Sequence, residues 1–361
     1  VKAKAKKRKK HPCPDCRCCQ WCAEARCAVC RGWMRPGCAN KRKLTAARPW
    51  LAMVLLGFSL IHSVPDVRGA ERSGSTFVPG TLGDYNVAVI STNRGLYLRN
   101  DIFYYYGTDE RTVRNGQINI NLDQAAWVQS YKLIFVPGVT WLGARYAMGL
   151  NVGIVNAHVG SDVFQKDSSG KLQAVHSTGN RTTVSDIFLT PVALSWQLGQ
   201  VHLSLAEMFT IPSGTYDNEE FVNISRNYWA LDSQLALTWV DQRTGMELSG
   251  KGGFIVNGRN TATDYRTGNE LHLEGLVSKR VVGRLSLGGV WYYYDQLSAD
   301  TGSGTLLGDF EGQAFGAGPA LRYNLPLGPR NFTLIFKWLH EFFTRDRFAG
   351  DYIFLSAAMK F

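Results

Sequence analysis

The chain has 361 residues, 45% of them hydrophobic, with 37 Gly, 18 Phe, 15 Tyr and 10 Trp, which is room for one large domain or two small ones. Its net charge of +11 suggests a nucleic-acid partner only until the charge is located: residues 1–43 hold fourteen Lys/Arg against two Asp/Glu, and the rest of the chain is close to neutral. No stretch approaches the roughly 18 apolar residues of a membrane helix, so neither nucleic-acid binding nor helical membrane crossing is expected of the body of the protein.

All eight cysteines lie in the basic front end, at Cys13, Cys16, Cys18, Cys19, Cys22, Cys27, Cys30 and Cys38. Cys13–Cys16 and Cys27–Cys30 have the C-x-x-C spacing of a zinc site. The neighbouring residues argue otherwise. Lys41-Arg42-Lys43 and Arg48 precede the apolar run from Trp50 to Ile61, then small and turn residues up to Ala70. That is the order of a secretory signal peptide, with Val67 and Gly69 at the recognition positions for cleavage after Gly69. Residues 1–33 are therefore expected to be a spurious upstream extension, with Met34 as the true start and residues 34–70 as the leader. No cysteine follows the apolar run, so neither a lipid anchor nor disulfides are expected in the mature chain.

Residues 71–95 read as an N-terminal segment that lies in the periplasm or plugs the domain after it. From residue 96 onward the text is strand-like, with no sustained 3.6-residue periodicity. Strands are expected at 96–106, 128–140, 144–159, 185–196, 201–210, 228–240, 245–256, 270–281, 284–294, 313–324, 332–341 and 351–361. In the last, Ile353, Leu355, Ala357, Met359 and Phe361 share one face, while Tyr352, Phe354, Ser356, Ala358 and Lys360 share the other. Strands of about ten residues, apolar on one face, are the unit of a transmembrane β-barrel. An even count suits a single-chain bacterial barrel, and long and short connections alternate as they do between its two rims. The expected fold is all-β: an antiparallel up-and-down transmembrane barrel of about twelve strands over 96–361. Its last strand should close against its first, and Phe361 should serve as the terminal aromatic signal for barrel-assembly machinery.

Aromatic placement agrees. Trp141, Trp196 and Trp239 fall toward one rim. Tyr104 to Tyr106, Trp229, Trp291 to Tyr294, Trp338 and Phe342 fall toward the other, as membrane-interface rings do. A charge facing lipid at mid-depth costs roughly 2–4 kcal/mol. The polar strand faces should therefore line the lumen with Arg145, Asp232, Gln234, His272, Glu274, Arg284, Tyr292, Arg322, Lys337, Glu341 and Lys360. Glu207 does not fit: it shares a face with Leu203 and Leu205, so either a bulge turns it inward or the register differs near residue 206. Tyr292, Tyr294, Tyr352 and Phe354 would suit a planar or apolar solute.

Catalytic signatures are missing. There is no phosphate-binding glycine loop, no G-x-S-x-G and no H-E-x-x-H. The histidines after residue 70 have no metal-ligand spacing. His272 with Glu274 is the nearest thing to a hydrolase pair, as in an outer-membrane phospholipase, but no serine partner stands out. Neither enzymatic activity nor a cofactor or metal is expected.

Several segments together resemble the MetA-pathway of phenol degradation family. They are Gly95-Leu96-Tyr97 leading to Tyr104-Tyr105-Tyr106-Gly107, Leu142 to Tyr146, Pro212 to Asp217, and Asn227-Tyr228-Trp229 running to Leu237-Thr238-Trp239. Asp264-Tyr265-Arg266-Thr267-Gly268 with Glu270 and His272, Gly318-Pro319, and Lys337 to Phe342 complete the set. The resemblance covers about residues 76–361. It marks Asp264, Tyr265, Arg266 and Gly268 as a family motif, and implies a non-enzymatic barrel in the Gram-negative outer membrane. Its partners would be outer-membrane lipid and a small hydrophobic or aromatic solute admitted passively. A general porin, or an adhesin-like barrel binding through long loops such as 160–184, is the alternative.

Overall fold

Alternating side chains put every second residue on the same side of a strand, and here that alternation runs almost unbroken to the C-terminus. The computed structural model describes residues 75–114, 117–166, 172–305, 311–327 and 330–361. The expected extension, leader and cysteine pairs lie outside these residues. The strands are β1 (Gly95–Arg114), β2 (Gln117–Val136), β3 (Thr140–Trp141), β4 (Ala144–Lys166), β5 (Leu172–Val184), β6 (Ile187–Leu198), β7 (Val201–Ile211), β8 (Ala230–Asp241), β9 (Met246–Asn257), β10 (Glu270–Val282), β11 (Leu285–Gln296), β12 (Gln313–Leu327), β13 (Arg330–Arg345) and β14 (Ala349–Lys360). Twelve of them form one closed antiparallel wall in chain order. The two-residue β3 pairs only with β4, and β5 pairs only with the far half of β4.

The wall closes where expected. β14 pairs antiparallel with β1 from Tyr97↔Lys360 to Thr108↔Ala349, and Phe361 N donates to Leu96 O at 2.9 Å. Tight turns join strands at one rim, the turn end. Leu142 and Gly143 both have positive φ there, as a two-residue hairpin turn requires. The opposite rim, the loop end, carries the segments 212–229, 258–269 and 297–305.

Burial is inverted relative to a water-soluble protein. Lys337 and His272 are 0% exposed, whereas Leu235 is 52% and Leu355 55% exposed. An apolar outer belt around a polar interior is what a lipid surround demands. Among the described residues no helix is long and apolar enough to cross a membrane; the strands are the crossing elements.

Three expectations need correction. The first hairpin and the β4–β5 hairpin are much longer than expected, so the described residues of 107–127 and 160–184 are largely strand rather than loop. Glu207 is not turned inward, and the irregularity lies one strand away, in β6. An extra residue at Thr190–Pro191 shifts the register to both β4 and β7, and Tyr146 Oη donates to Pro191 O at 2.6 Å. Proline cannot donate to a ladder, which is why a bulge falls there. Glu207 stays on the outer face opposite Ser233, whose hydroxyl donates to it at 2.7 Å. Finally, Tyr105, Tyr292 and Tyr294 do not join an interface belt: alternation buries them inside, while Tyr106, Trp291, Trp229 and Trp338 face outward.

Candidate functional site: the lumen and its threaded segment

Residues 75–94 run down the inside of the barrel from the loop end to the turn end, bonded to strands on all sides. Near the loop end the Ser75 hydroxyl donates to Glu270. Phe77 stacks on His272, with ring centroids 4.4 Å apart, and on Tyr294 at 6.1 Å. At mid-height Glu274 is capped by backbone: Gly80 N donates at 2.7 Å, Leu82 N at 3.0 Å, and Gly83 N to the same carboxylate. From across the lumen Lys337 Nζ donates to Gly80 O and to Asp84 at 3.0 Å, and Lys132 Nζ to Thr81 O at 2.7 Å. Toward the turn end Asn86 N meets Glu247, Ala88 N meets Thr238 Oγ1 at 3.1 Å, and Ser195 Oγ donates to Ala88 O at 2.6 Å.

Two glycines make this path possible. Gly80 has a φ of +78°, and a Cβ there would overlap Leu339 and Phe354. A Cβ on Gly83 would overlap Glu274 itself. Glu274 thus receives three backbone donors because two of them, Gly80 and Gly83, carry no Cβ to hold the chain away.

The charges inside form a linked set. Arg99 bridges Asp84 at 2.6 Å and Asp101 at 2.7 Å, Lys132 meets Asp101 at 3.0 Å, and Lys337 meets Asp84. Asp84 thus lies between two cations, Arg99 and Lys337, which offset the cost of burying its charge. An Arg322–Glu247 bridge at 3.1 Å lies lower, with Arg322 stacked over the Tyr85 ring.

The residues read from sequence as lumen-lining divide into groups. Asp232, Gln234, His272, Glu274, Tyr292, Lys337 and Glu341 are buried inward-facing residues. His272 and Glu274 do not act as a pair: His272 Nε2 lies 3.1 Å from both Asp232 oxygens, Gln234 donates to Asp232 at 2.6 Å, and Glu274 is occupied by the threaded backbone. Glu341 accepts from Tyr292, from Tyr105 at 3.3 Å and from Gly350 N at 2.7 Å. Arg145 reaches Ile90 O at 3.3 Å, and the Lys360 ammonium sits 5.9 Å from the Tyr97 ring centroid near the turn end. Arg284 is a correction: it lies in the β10–β11 turn and is exposed at the rim rather than within the lumen.

The motif Asp264, Tyr265, Arg266 and Gly268 does not line the lumen wall. It builds the loop between β9 and β10. Tyr265 Oη and Gly268 N donate to Asp300, Arg266 pairs with Thr301, and Asp264 accepts from the Ser303 hydroxyl at 2.7 Å. The Ser303 bonds, with Arg259 nearby, lower the Asp264 carboxyl from its ordinary value. Sequence reading missed Asp84, Arg99, Asp101, Lys132, Glu247 and Glu270. Arg99, Asp101, Phe103 and Tyr105 do alternate, which was the available signal; the outward partners Asn100 and Tyr104 blurred it.

One side of the wall is different. At Ser185–Asp186 the strand beside β4 breaks into β5 and β6, and among the described residues β5 has no second strand partner. Side chains seal that edge instead. Asp186 accepts from Gly214 N at 3.0 Å, Ser225 Oγ at 2.6 Å and Arg226 N at 3.0 Å, and Thr183 Oγ1 meets Thr215 Oγ1 at 2.8 Å. Between this break and the threaded segment lies a cavity of about 250 Å³, walled by Phe77, Val78, Leu82, Phe103, Val128 and Val155 among others. Among the described residues no cluster of His, Cys, Asp or Glu has a metal-binding arrangement.

A closed antiparallel wall, apolar outside and polar inside, with its own N-terminal segment threaded down the lumen, defines a membrane-spanning β-barrel of the outer-membrane kind. The chain belongs to the MetA-pathway of phenol degradation family, whose model matches residues 108–357. In fold it is similar to the COG4313 outer membrane channel of Pseudomonas putida F1, at 15% identity and a TM-score of 0.56, covering 79% of this chain and 100% of that one. A looser likeness is to the transport unit of the Escherichia coli autotransporter AIDA-I, at 11% identity and a TM-score of 0.37, covering 78% of this chain and 93% of that one. A FadL homologue of Pseudomonas aeruginosa aligns at 10% identity and a TM-score of 0.27, covering 73% of this chain and 88% of that one. No curated protein matches the chain in sequence.

Proposed function

We propose that the protein is a channel of the bacterial outer membrane for passive entry of small hydrophobic or aromatic compounds, exported by a signal peptide and assembled through the terminal strand ending at Phe361. The observation that carries this reading is the division of the lumen. Its middle is filled by residues 80–90 and their ion pairs; a polar cavity of about 360 Å³ lies at the turn end, beside Glu247 and Arg322, and an apolar-walled cavity lies at the loop end. A hydrated ion would have to break the charge network to pass, which argues against a general porin. A small apolar solute gains about 25 cal/mol for each Å² of surface it removes from water, and the cavity offers that surface. The cavity also borders the break at Ser185–Asp186, where parting of the side-chain seal gives a hydrophobic solute a way into the membrane without crossing the polar interior.

Uptake of several aromatic carbon sources, with and without the gene, tests the reading. Loss of the gene should slow uptake of at least one of them, and no difference on any would sink it. Planar-bilayer recordings separate the porin alternative, which requires a steady ohmic current from the intact protein.

A further inference from the structure

The cavity at the loop end has apolar walls but not an indifferent charge. Two carboxylates reach it, Asp186 and Asp232, and both are fully engaged, the first with three donors and the second with His272 and Gln234. Two arginines reach it as well, Arg226 from the segment before β8 and Arg347 from the short connection between β13 and β14. The Arg347 guanidinium carbon sits 3.9 Å from the centroid of the Tyr294 ring, and of the two only Arg347 has a nitrogen, Nη1, that is buried without a hydrogen-bond partner. No carboxylate in the described residues forms an ion pair with it. The nearest candidates are taken: Glu341 by Tyr292, Tyr105 and Gly350 N, and Glu270 by Ser75.

A buried guanidinium normally has a carboxylate or several acceptors, because removing its hydration without replacement is costly. Here the stacking face is used and the hydrogen-bonding edge is left over. A guanidinium edge matches a carboxylate in two parallel bonds. The ring of Phe77, together with Phe103 and Tyr352, stands where the body of a small flat molecule would lie.

We infer that Arg347 is the recognition residue of the cavity, and that the preferred solute is an aromatic monocarboxylate rather than a plain hydrocarbon. The carboxylate takes the free edge of Arg347, and the ring packs against Phe77 and its neighbours. This rests on the reading of the cavity as the solute site and specifies the solute class within it.

The test is calorimetric titration of the full barrel in detergent at neutral pH with benzoate and with benzyl alcohol, which are similar in size and differ in charge. The wild-type protein should bind benzoate at least about tenfold more tightly. Arg347→Gln should abolish that preference while leaving benzyl alcohol affinity within about twofold, and Arg347→Lys should keep part of it. Equal binding of the two probes by wild type, or an unchanged preference in Arg347→Gln, overturns the inference. The wild-type comparison needs no variant, so a folding defect in Arg347→Gln does not spare it. If benzyl alcohol binds and benzoate does not, the carboxylate preference fails and the cavity reading stands. If neither binds, both fall together.

Discussion

The wall from β10 to β14 and the wall from β4 to β7 solve the same problem differently. On the first side the ladder is nearly continuous, and its inner face is covered by the threaded segment: Glu274 caps its backbone, Lys337 holds Asp84, and Phe77 and Leu82 pack with Tyr292, Leu339 and Phe354. On the second side the ladder is interrupted by a proline bulge and by the break at Ser185–Asp186, and the inner face borders empty space. The contrast teaches that rigidity and access are placed on opposite sides. Toward the loop end the segment adheres to the first wall and the cavity persists along the second; the segment meets β4 and β6 only toward the turn end, at Arg145 and Ser195.

The largest expected effect comes from removing what covers the first wall. Deleting residues 75–94 should turn a nearly silent protein in planar bilayers into one with a steady ohmic current; an unchanged conductance would mean that the segment does not occlude. Next is the anchor itself. Lys337→Met leaves Asp84 and the Gly80 carbonyl short of a partner, and should lower stability by roughly 3–5 kcal/mol in urea titrations of vesicle-inserted protein. If the loss is under about 1 kcal/mol, the segment is not tied to this wall as the geometry requires. For scale, Leu235→Arg on the lipid face of β8 should cost roughly 2–4 kcal/mol in the same assay, because the penalty there is desolvation at mid-depth.

The second wall calls for a different readout. Thr183→Cys with Thr215→Cys places the only two thiols beyond Cys38 across the sealed edge. Oxidation should slow aromatic uptake without altering conductance, and reduction should restore it. Equal uptake in both states would remove the break from the solute route. The smallest effect concerns acid. Asp264, in the loop between β9 and β10, has its carboxyl held below the ordinary value of 3.8, so the stability it contributes is complete above that pH and is lost only as pH falls through the lower folded value. Protease resistance of that loop should therefore be the same at pH 7 and pH 5.

The barrel was legible in the sequence because lipid on one side and polar groups on the other force strict alternation. The closing pair β1–β14 could be named because an even strand count sets the strand from Leu96 against the strand ending at Phe361. Alternation fails as a signal once strands leave the membrane: from Asp109 to Arg114 the text is polar at almost every position, and so reads as a loop although it continues a ladder. The threaded segment was harder still. Pro79-Gly80-Thr81-Leu82-Gly83 carries no periodicity, and it looks like a linker until its partner Glu274, nearly 200 residues away, is placed beside it. Glu270 and Arg347 could be read as charged residues but not as an engaged carboxylate and a free guanidinium, since that distinction depends on neighbours from three or more strands.

The seam between Tyr97 and Lys360 also sets a timetable. The two strands it joins stand at opposite ends of the barrel-forming chain, so their pairing carries the greatest loop-closure cost and comes late. The threaded segment is the first part of this barrel to be made, yet Glu274, Lys337 and Phe354, which hold it, are among the last. The interior must therefore stay open and wet through most of assembly. Occlusion is a finishing step, completed when the final strand locks beside the first.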